Sequence, residues 1–242
     1  MVPPTPLTGM TRIDLLRHGE TQGGSRFRGR GDDPLTALGW AQMWSALRAP
    51  PRQGGGAAAG RTGREGPTGE GKEPQRIDLG RRPVMGAWDL ILASPLARCA
   101  DFARALSRQE GIPLRLDARL QEMDFGAWEG QSAADLMARD AEALGRFWSD
   151  PLANTPPGGE PLAQFADRAL ELWSELLTRP EGEALLVISH GGVIRVILSQ
   201  VLGRPLGRLL ELEVRHASLN RIHIARHAAG LDVSLAEDPP RP

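Results

Sequence analysis

One cysteine, Cys99, stands in 242 residues. A lone thiol excludes an internal disulfide framework and argues against a thiolate metal cluster. Lysine is equally scarce: Lys72 is the only one, and the remaining basic residues are all arginine. Charge of either sign is not in excess, since the formal net charge is −1. No global field therefore draws nucleic acid or an anionic membrane, and any anion site has to be local. No apolar run approaches the roughly 20 residues of a membrane span. The opening MVPPTPLTGM also lacks the basic-then-apolar order of a signal peptide. These absences point to a cytoplasmic chain with no membrane partner.

What is present is a repeated design. Three short aliphatic runs, IDLLRHG (13–19), WDLILASP (88–95) and ALLVISHGG (184–192), each end in small or titratable residues. A near-continuous aliphatic run of this length suits a strand buried on both faces. Amphipathic helical patterns are expected over 34–47, 96–106 and 162–177, and a more apolar helix over 193–202. Strands alternating with helices predict an α/β fold with a largely parallel sheet. LNRIHIAR (219–226) and LDVSLAE (231–237) read as two further strands around an Ala-Ala-Gly turn.

Residues 49–84 break the pattern. They are rich in Gly, Pro and charge and nearly empty of large apolar residues, so they cannot offset their ordering entropy and are expected to form a flexible insertion. The arginines of that segment interleave with Glu65, Glu70, Glu73 and Asp78, which suits a solvated linker better than a nucleic-acid patch. The expected organisation is one domain built from 11–48 and 85–237, with tails at 1–10 and 238–242.

In open α/β sheets, ligands sit beyond the carboxyl ends of the strands. The first strand would deliver Arg17 and His18 there. The second would deliver Ser94, with Arg98 one helical turn on, and the third Ser189, His190, Gly191 and Gly192. Two arginines and two histidines repel one another unless an anion joins them. Arginine grips phosphate oxygens bidentately, and glycines at a helix start admit an anion to backbone N–H groups. The pattern predicts a phosphate pocket. A neutral imidazole can also take a phosphoryl group, with cations stabilising the charge in flight and a carboxylic acid protonating the leaving oxygen. Glu122, in RLQEMDFGAWEG (119–130), is the favoured acid, with Asp124 and Glu129 as rivals that spacing alone does not remove.

LLRHGET (15–21), DDPLTALGWAQ (32–42), ASPLARCADFA (93–103), LQEMDFGAWEG (120–130) and ISHGG (188–192) follow one another in the order of the histidine phosphatase, or phosphoglycerate-mutase-like, superfamily, which this chain resembles. The resemblance implies a three-layer α/β/α sandwich with a mostly parallel central sheet, a phosphohistidine intermediate, and neither metal nor cofactor. It implies His18 as nucleophile, Glu122 as proton donor, and Arg17, Arg98 and His190 around the phosphoryl group. Thr21, Arg28, Gly29 and Gly191 are assigned to substrate, which would be a small phosphorylated metabolite. MDFGAWEG resembles the phosphatase branch rather than the mutases. RHGETQGGSRFRGRGDDPLT, PPGGEPLAQFADR (156–168) and RHASLNRI (215–222) are most similar to members that act on α-ribazole 5'-phosphate in cobalamin biosynthesis. One departure stands out. Where many relatives have an asparagine six positions after the nucleophile, this chain has Gly24, and Arg26 or Arg28 would have to replace that contact.

Several other residues invite a plainer reading. Trp40, Trp44, Trp148 and Trp173 fit helix faces and are expected in the core, while Trp128 is expected to shape the pocket. His216, His223 and His227 are read as structural, and Cys99 as a small apolar helix residue.

Overall fold

The computed structural model describes residues 9–48 and 87–236. The expected insertion at 49–84 and most of the two tails lie outside the described residues. Six strands form one mixed sheet: β1 (Thr11–Arg17), β2 (Leu90–Ala93), β3 (Leu114–Leu116), β4 (Ala184–Ser189), β5 (Leu219–His227) and β6 (Gly230–Leu235), in the order β3-β2-β4-β1-β5-β6. The first four run parallel, and β5 and β6 add an antiparallel edge. The helices are α1 (Ala37–Leu47), α2 (Ala97–Glu110), α3 (Ala133–Ser149), α4 (Leu162–Leu177) and α5 (Gly191–Val201).

The aliphatic runs are continuous because the central strands are covered on both faces. Ile13 and Leu15 of β1, Leu92 of β2, and Leu185 and Val187 of β4 join one core with α4 and α5. Leu16, Ile91, Ala93, Leu186 and Ile188 point the other way, against Met43 and Leu47 of α1 and Phe102 and Leu106 of α2. Side chains alternate across a strand, so neighbours serve opposite layers. The result is the three-layer α/β/α arrangement that the sequence implied.

One charged residue interrupts the apolar run 13–16 of β1. Asp14 is fully buried. Arg221 donates to both of its oxygens at 2.7 and 3.0 Å, and the Trp88 indole N–H adds a bond of 2.9 Å. A buried carboxylate requires such partners, and these tie β1 to β5 and to the chain entering β2.

Two elements escaped the sequence reading. Strand β3 is only three residues long, too short to show a period. Helix α3 buries just Leu136, Leu144 and Phe147, and Asp140 interrupts it with a non-helical φ of −152°. Its start was nevertheless written in the sequence. Ser132 and Asp135 form a reciprocal capping box, in which each side chain accepts the other's backbone N–H.

The tryptophans need two corrections. Trp148 is 44% exposed and not in the core, because the α3 face that carries it looks outward. Trp128 is buried against Phe27 and Phe147 and does not line the cleft described below. Its large apolar ring is satisfied by the core.

Candidate active site

Parallel register brings three strand ends to one edge. Arg17 lies opposite Ser189, and Ala93 opposite Ile188. The His18 N–H continues the ladder by donating to Ser189 O at 3.0 Å, and the Ser94 N–H donates to Ile188 O at 3.0 Å. His18 and His190 thereby meet edge to face, with ring centroids 5.2 Å apart. His216 approaches His18 from the other side at 5.5 Å.

A cleft of about 340 Å³ opens over this edge, lined by Arg17, His18, Arg26, Arg28, Glu122 and His216, with Gly24 on its wall. Three guanidinium groups against one carboxylate give it a local positive field, although the chain as a whole is nearly neutral. Arg17 donates through Nη1 to Val214 O at 2.6 Å, while its buried Nε has no acceptor among the described residues. A buried donor without a partner is costly. An oxyanion in the cleft would relieve it.

Hydrogen bonds fix both histidine tautomers. His18 Nδ1 lies 2.8 Å from Gly19 O, which can only accept, so the ring proton is on Nδ1. Nε2 keeps its lone pair and has no hydrogen bond among the described residues. At His190 the order is reversed. Arg98 Nε donates to Nδ1 at 3.1 Å, so Nε2 carries the proton and gives it to Ser94 Oγ at 2.7 Å. Burial, reinforced by the Arg98 and Arg17 cations, holds His18 well below the ordinary imidazole range. Burial, then Arg98 and His18, does the same to His190. His18 is therefore a neutral base with one free lone pair, which is the form a nucleophile requires.

These two groups also make stability depend on pH. Their folded pKa values lie below the unfolded one, so on acidification the unfolded chain binds protons first. Their stabilising contribution is full above about pH 6.5 and is lost as the pH falls towards the folded values. His216 and His223 are lowered in the same direction, each chiefly by burial. The melting temperature is expected to drop steadily between about pH 7 and 5, before most carboxylates titrate. Differential scanning fluorimetry across that range checks this, and a flat profile would contradict it.

Glu122 follows the 3₁₀ turn Ala118–Leu120. Its Oε1 accepts from the Met123 N–H and its Oε2 from the Gly192 N–H, both at 3.0 Å. The rivals are engaged elsewhere. Asp124 accepts from the Gly126 N–H, Glu129 accepts four backbone N–H groups, and neither lines the cleft. Gly192 was expected to bring its N–H to an anion; the N–H serves the Glu122 carboxylate instead. A Cβ at Gly192 would come within 2.1 Å of Glu122 Oε1. Gly192→Ala is therefore expected to push this carboxyl aside while the fold survives. A loss of about 10- to 100-fold in kcat with little change in unfolding midpoint is the expected result. Steady-state kinetics beside a urea titration measures both.

The remaining expected residues separate into two groups. Arg28 lines the cleft and is held by Asp33 and by the Thr21 hydroxyl, both at 2.5 Å. Thr21, Gly29 and Gly191 do not line it: Thr21 supports Arg28, and the Gly29 carbonyl accepts from Arg98 at 2.7 Å. Arg98 and His190 are fully buried behind His18 rather than on the cleft surface. They act on His18 through charge and, for His190, through ring contact. His216, read as structural, is instead a lining residue. Cys99 packs against His190, and burial pushes its thiol up to about 12, so it is inert.

Arg168 was missed. From α4 it donates to the carbonyls of Arg119, Gln121 and Glu122 and pairs with Glu160, clamping the loop that presents Glu122. An arginine on a helix face gives no sign in the sequence of which backbone it will hold. Among the described residues, no group of three His, Cys, Asp or Glu side chains is placed to hold a metal ion, and no helix is long and apolar enough to cross a membrane.

A neutral histidine with a free ring nitrogen thus lies in an arginine-lined cleft at the carboxyl edge of an α/β sheet, an arrangement suited to a phosphoryl group. Residues 74–234 match the histidine phosphatase superfamily, branch 1, and the chain belongs to that superfamily. A bifunctional protein of Mycobacterium tuberculosis is 34% identical over 212 residues, covering 87% of this chain and 49% of the relative. The chain thus spans about half the length of the first curated relatives it matches. A glucosyl-3-phosphoglycerate phosphatase of Mycolicibacterium vanbaalenii is 30% identical over 205 residues, 80% of this chain and 75% of that protein. Among solved structures, a mycobacterial glucosyl-3-phosphoglycerate phosphatase in complex with VO3 superposes with a TM-score of 0.67 at 26% identity, covering 93% of this chain and 96% of that one. The α-ribazole phosphatase of Shigella flexneri shares the fold, with a TM-score of 0.65 at 24% identity over 93% of this chain and 95% of the other.

Proposed function

We propose that this chain is a phosphomonoesterase that works through a phosphohistidine on His18. The observation that carries the reading is the neutral His18 ring, protonated on Nδ1 by its bond to Gly19 O and open at Nε2 to an arginine-lined cleft. Nε2 attacks phosphorus as the ester bond breaks, and the leaving oxygen takes a proton from the Glu122 carboxyl. The Glu122 carboxylate then takes a proton from water, whose oxygen displaces the phosphoryl group and restores His18. Arg17, with its unpartnered Nε, and Arg28 face the phosphoryl oxygens; Arg98 adds charge from behind. Cations placed where charge develops are the main resource in phosphoryl transfer.

The substrate we propose is a small phosphorylated metabolite, with α-ribazole 5'-phosphate as the first candidate. The motifs around Arg28, 156–168 and 215–222 support it. Glucosyl-3-phosphoglycerate is the second candidate, favoured by the relative that matches at 30% identity. Phosphate release in the presence of EDTA should be measured on both, with 3-phosphoglycerate, fructose 2,6-bisphosphate and p-nitrophenyl phosphate beside them. Release from one of the first two well above the rest is the expected outcome. Isomerisation of 3-phosphoglycerate without net release would indicate a mutase. A folded protein that binds phosphate and releases none from any ester would indicate a silent binder.

A further inference from the structure

Glu129 lies outside the cleft, yet it is the most heavily bonded carboxylate near it. Its Oε1 accepts the N–H groups of Gly29 (3.0 Å), Arg30 (2.9 Å) and Phe125 (3.0 Å), and its Oε2 accepts that of Gly31 (3.0 Å). Two loops about 100 residues apart in the chain thus converge on one side chain. A carboxylate has about four lone-pair positions, and four N–H groups converge on this one, three of them on Oε1.

The other side of the same loop meets Arg98. Arg98 Nη2 donates to Gly29 O at 2.7 Å, Nη1 to Gly31 O at 2.6 Å, and Nε to His190 Nδ1 at 3.1 Å. The peptide between Gly29 and Arg30 therefore has its N–H on the Glu129 carboxylate and its C=O on the Arg98 guanidinium. A trans peptide is planar and holds those groups on opposite sides. Its dipole is aligned between an anion and a cation, so each bond strengthens the other. Gly29 has to be glycine for this: a Cβ there would lie 2.0 Å from Met123 O and 2.3 Å from Glu129 Oε1.

We propose that Glu129 is a positioning residue that fixes Arg98, and through it His190, by clamping residues 29–31. The proposal rests on the phosphomonoesterase reading only for its kinetic consequence, because the positioning itself is visible in the histidine rings. Arg98 is the leading charge that disfavours protonated His18. Releasing Arg98 from its carbonyls lets it move towards solvent, and His18 should then protonate at higher pH.

The experiment uses the full chain with 15N-labelled histidine, comparing wild type, Glu129→Ala and Glu129→Gln by NMR from about pH 5 to 8. In Glu129→Ala the His190 ring signals should depart from the Nε2–H tautomer pattern, and the His18 titration should move up in pH. On p-nitrophenyl phosphate, kcat should fall about 10- to 100-fold with KM within about threefold. Glu129→Gln, which keeps one acceptor oxygen, should fall between, and it carries the test if the alanine variant does not fold. In an Arg98→Ala background, Glu129→Ala should add less than about twofold, since the two act as one unit. Unchanged histidine signals in Glu129→Ala, or kinetic losses that multiply with those of Arg98→Ala, would overturn the proposal. Wild-type protein that releases no phosphate would instead remove the phosphomonoesterase reading, with the ring signals still deciding the clamp.

Discussion

His18→Ala is expected to reduce phosphate release by roughly 10⁴-fold or more, the scale seen when a covalent nucleophile is deleted. No other group can take over its role. His190 has both ring nitrogens engaged, one by Arg98 and one by Ser94, and it is fully buried. His216 lines the cleft but does not share His18's place at the end of β1, fixed by the bond to Ser189 O. Folding should change little. The lost ring is buried and makes one internal hydrogen bond, so a cost of about 0.5–3 kcal/mol is expected, with the fold retained. Circular dichroism and a urea titration on the same preparation separate loss of chemistry from loss of structure. Appreciable residual turnover by His18→Ala would place the nucleophile elsewhere.

Arg98→Ala should have a different signature, because it damages fold and chemistry together. Removing the guanidinium strands two buried acceptors, Gly29 O and His190 Nδ1, and the more exposed Gly31 O. Each unsatisfied buried group costs on the order of 1–3 kcal/mol, partly offset by removing the burial cost of the charge itself, so a net loss of about 3 kcal/mol is expected. Catalysis should fall by about 10²- to 10³-fold, the scale for a preorganised electrostatic contact. Arg98→Lys keeps the charge without the planar fork and should recover part of the rate while still failing to satisfy both carbonyls. A lowered urea midpoint with wild-type kcat would show that Arg98 serves the fold alone.

The fold was legible because burial on both faces leaves a mark in the sequence. IDLL, LILA and ALLVIS could be recognised as central strands, and the helices between them followed from their apolar stripes. The short β3 and the largely exposed α3 leave no comparable mark, although the Ser132–Asp135 cap did. The site was legible where strand ends deliver reactive side chains, which is why Arg17, His18, Ser94 and His190 fall at one edge. It was not legible where a side chain acts on backbone. Gly192 looked like an anion cradle and instead holds Glu122. Arg98 could be read as a cation for the phosphoryl group, but its bonds to two carbonyls and a histidine could not be. Arg168 and Glu129 meet their partners across 46 to 100 residues, through main-chain atoms that are the same at every position. No residue pattern records such contacts.

The proposed mechanism requires a covalent bond between phosphorus and His18 Nε2. The most direct measurement is to mix the protein with a ³²P-labelled phosphomonoester that it turns over, quench in alkali within the first turnover, and map the label to a peptide. The expected result is an acid-labile, alkali-stable label on the peptide containing His18, absent from His18→Ala. Turnover with no label, or a label on any other residue, would contradict it.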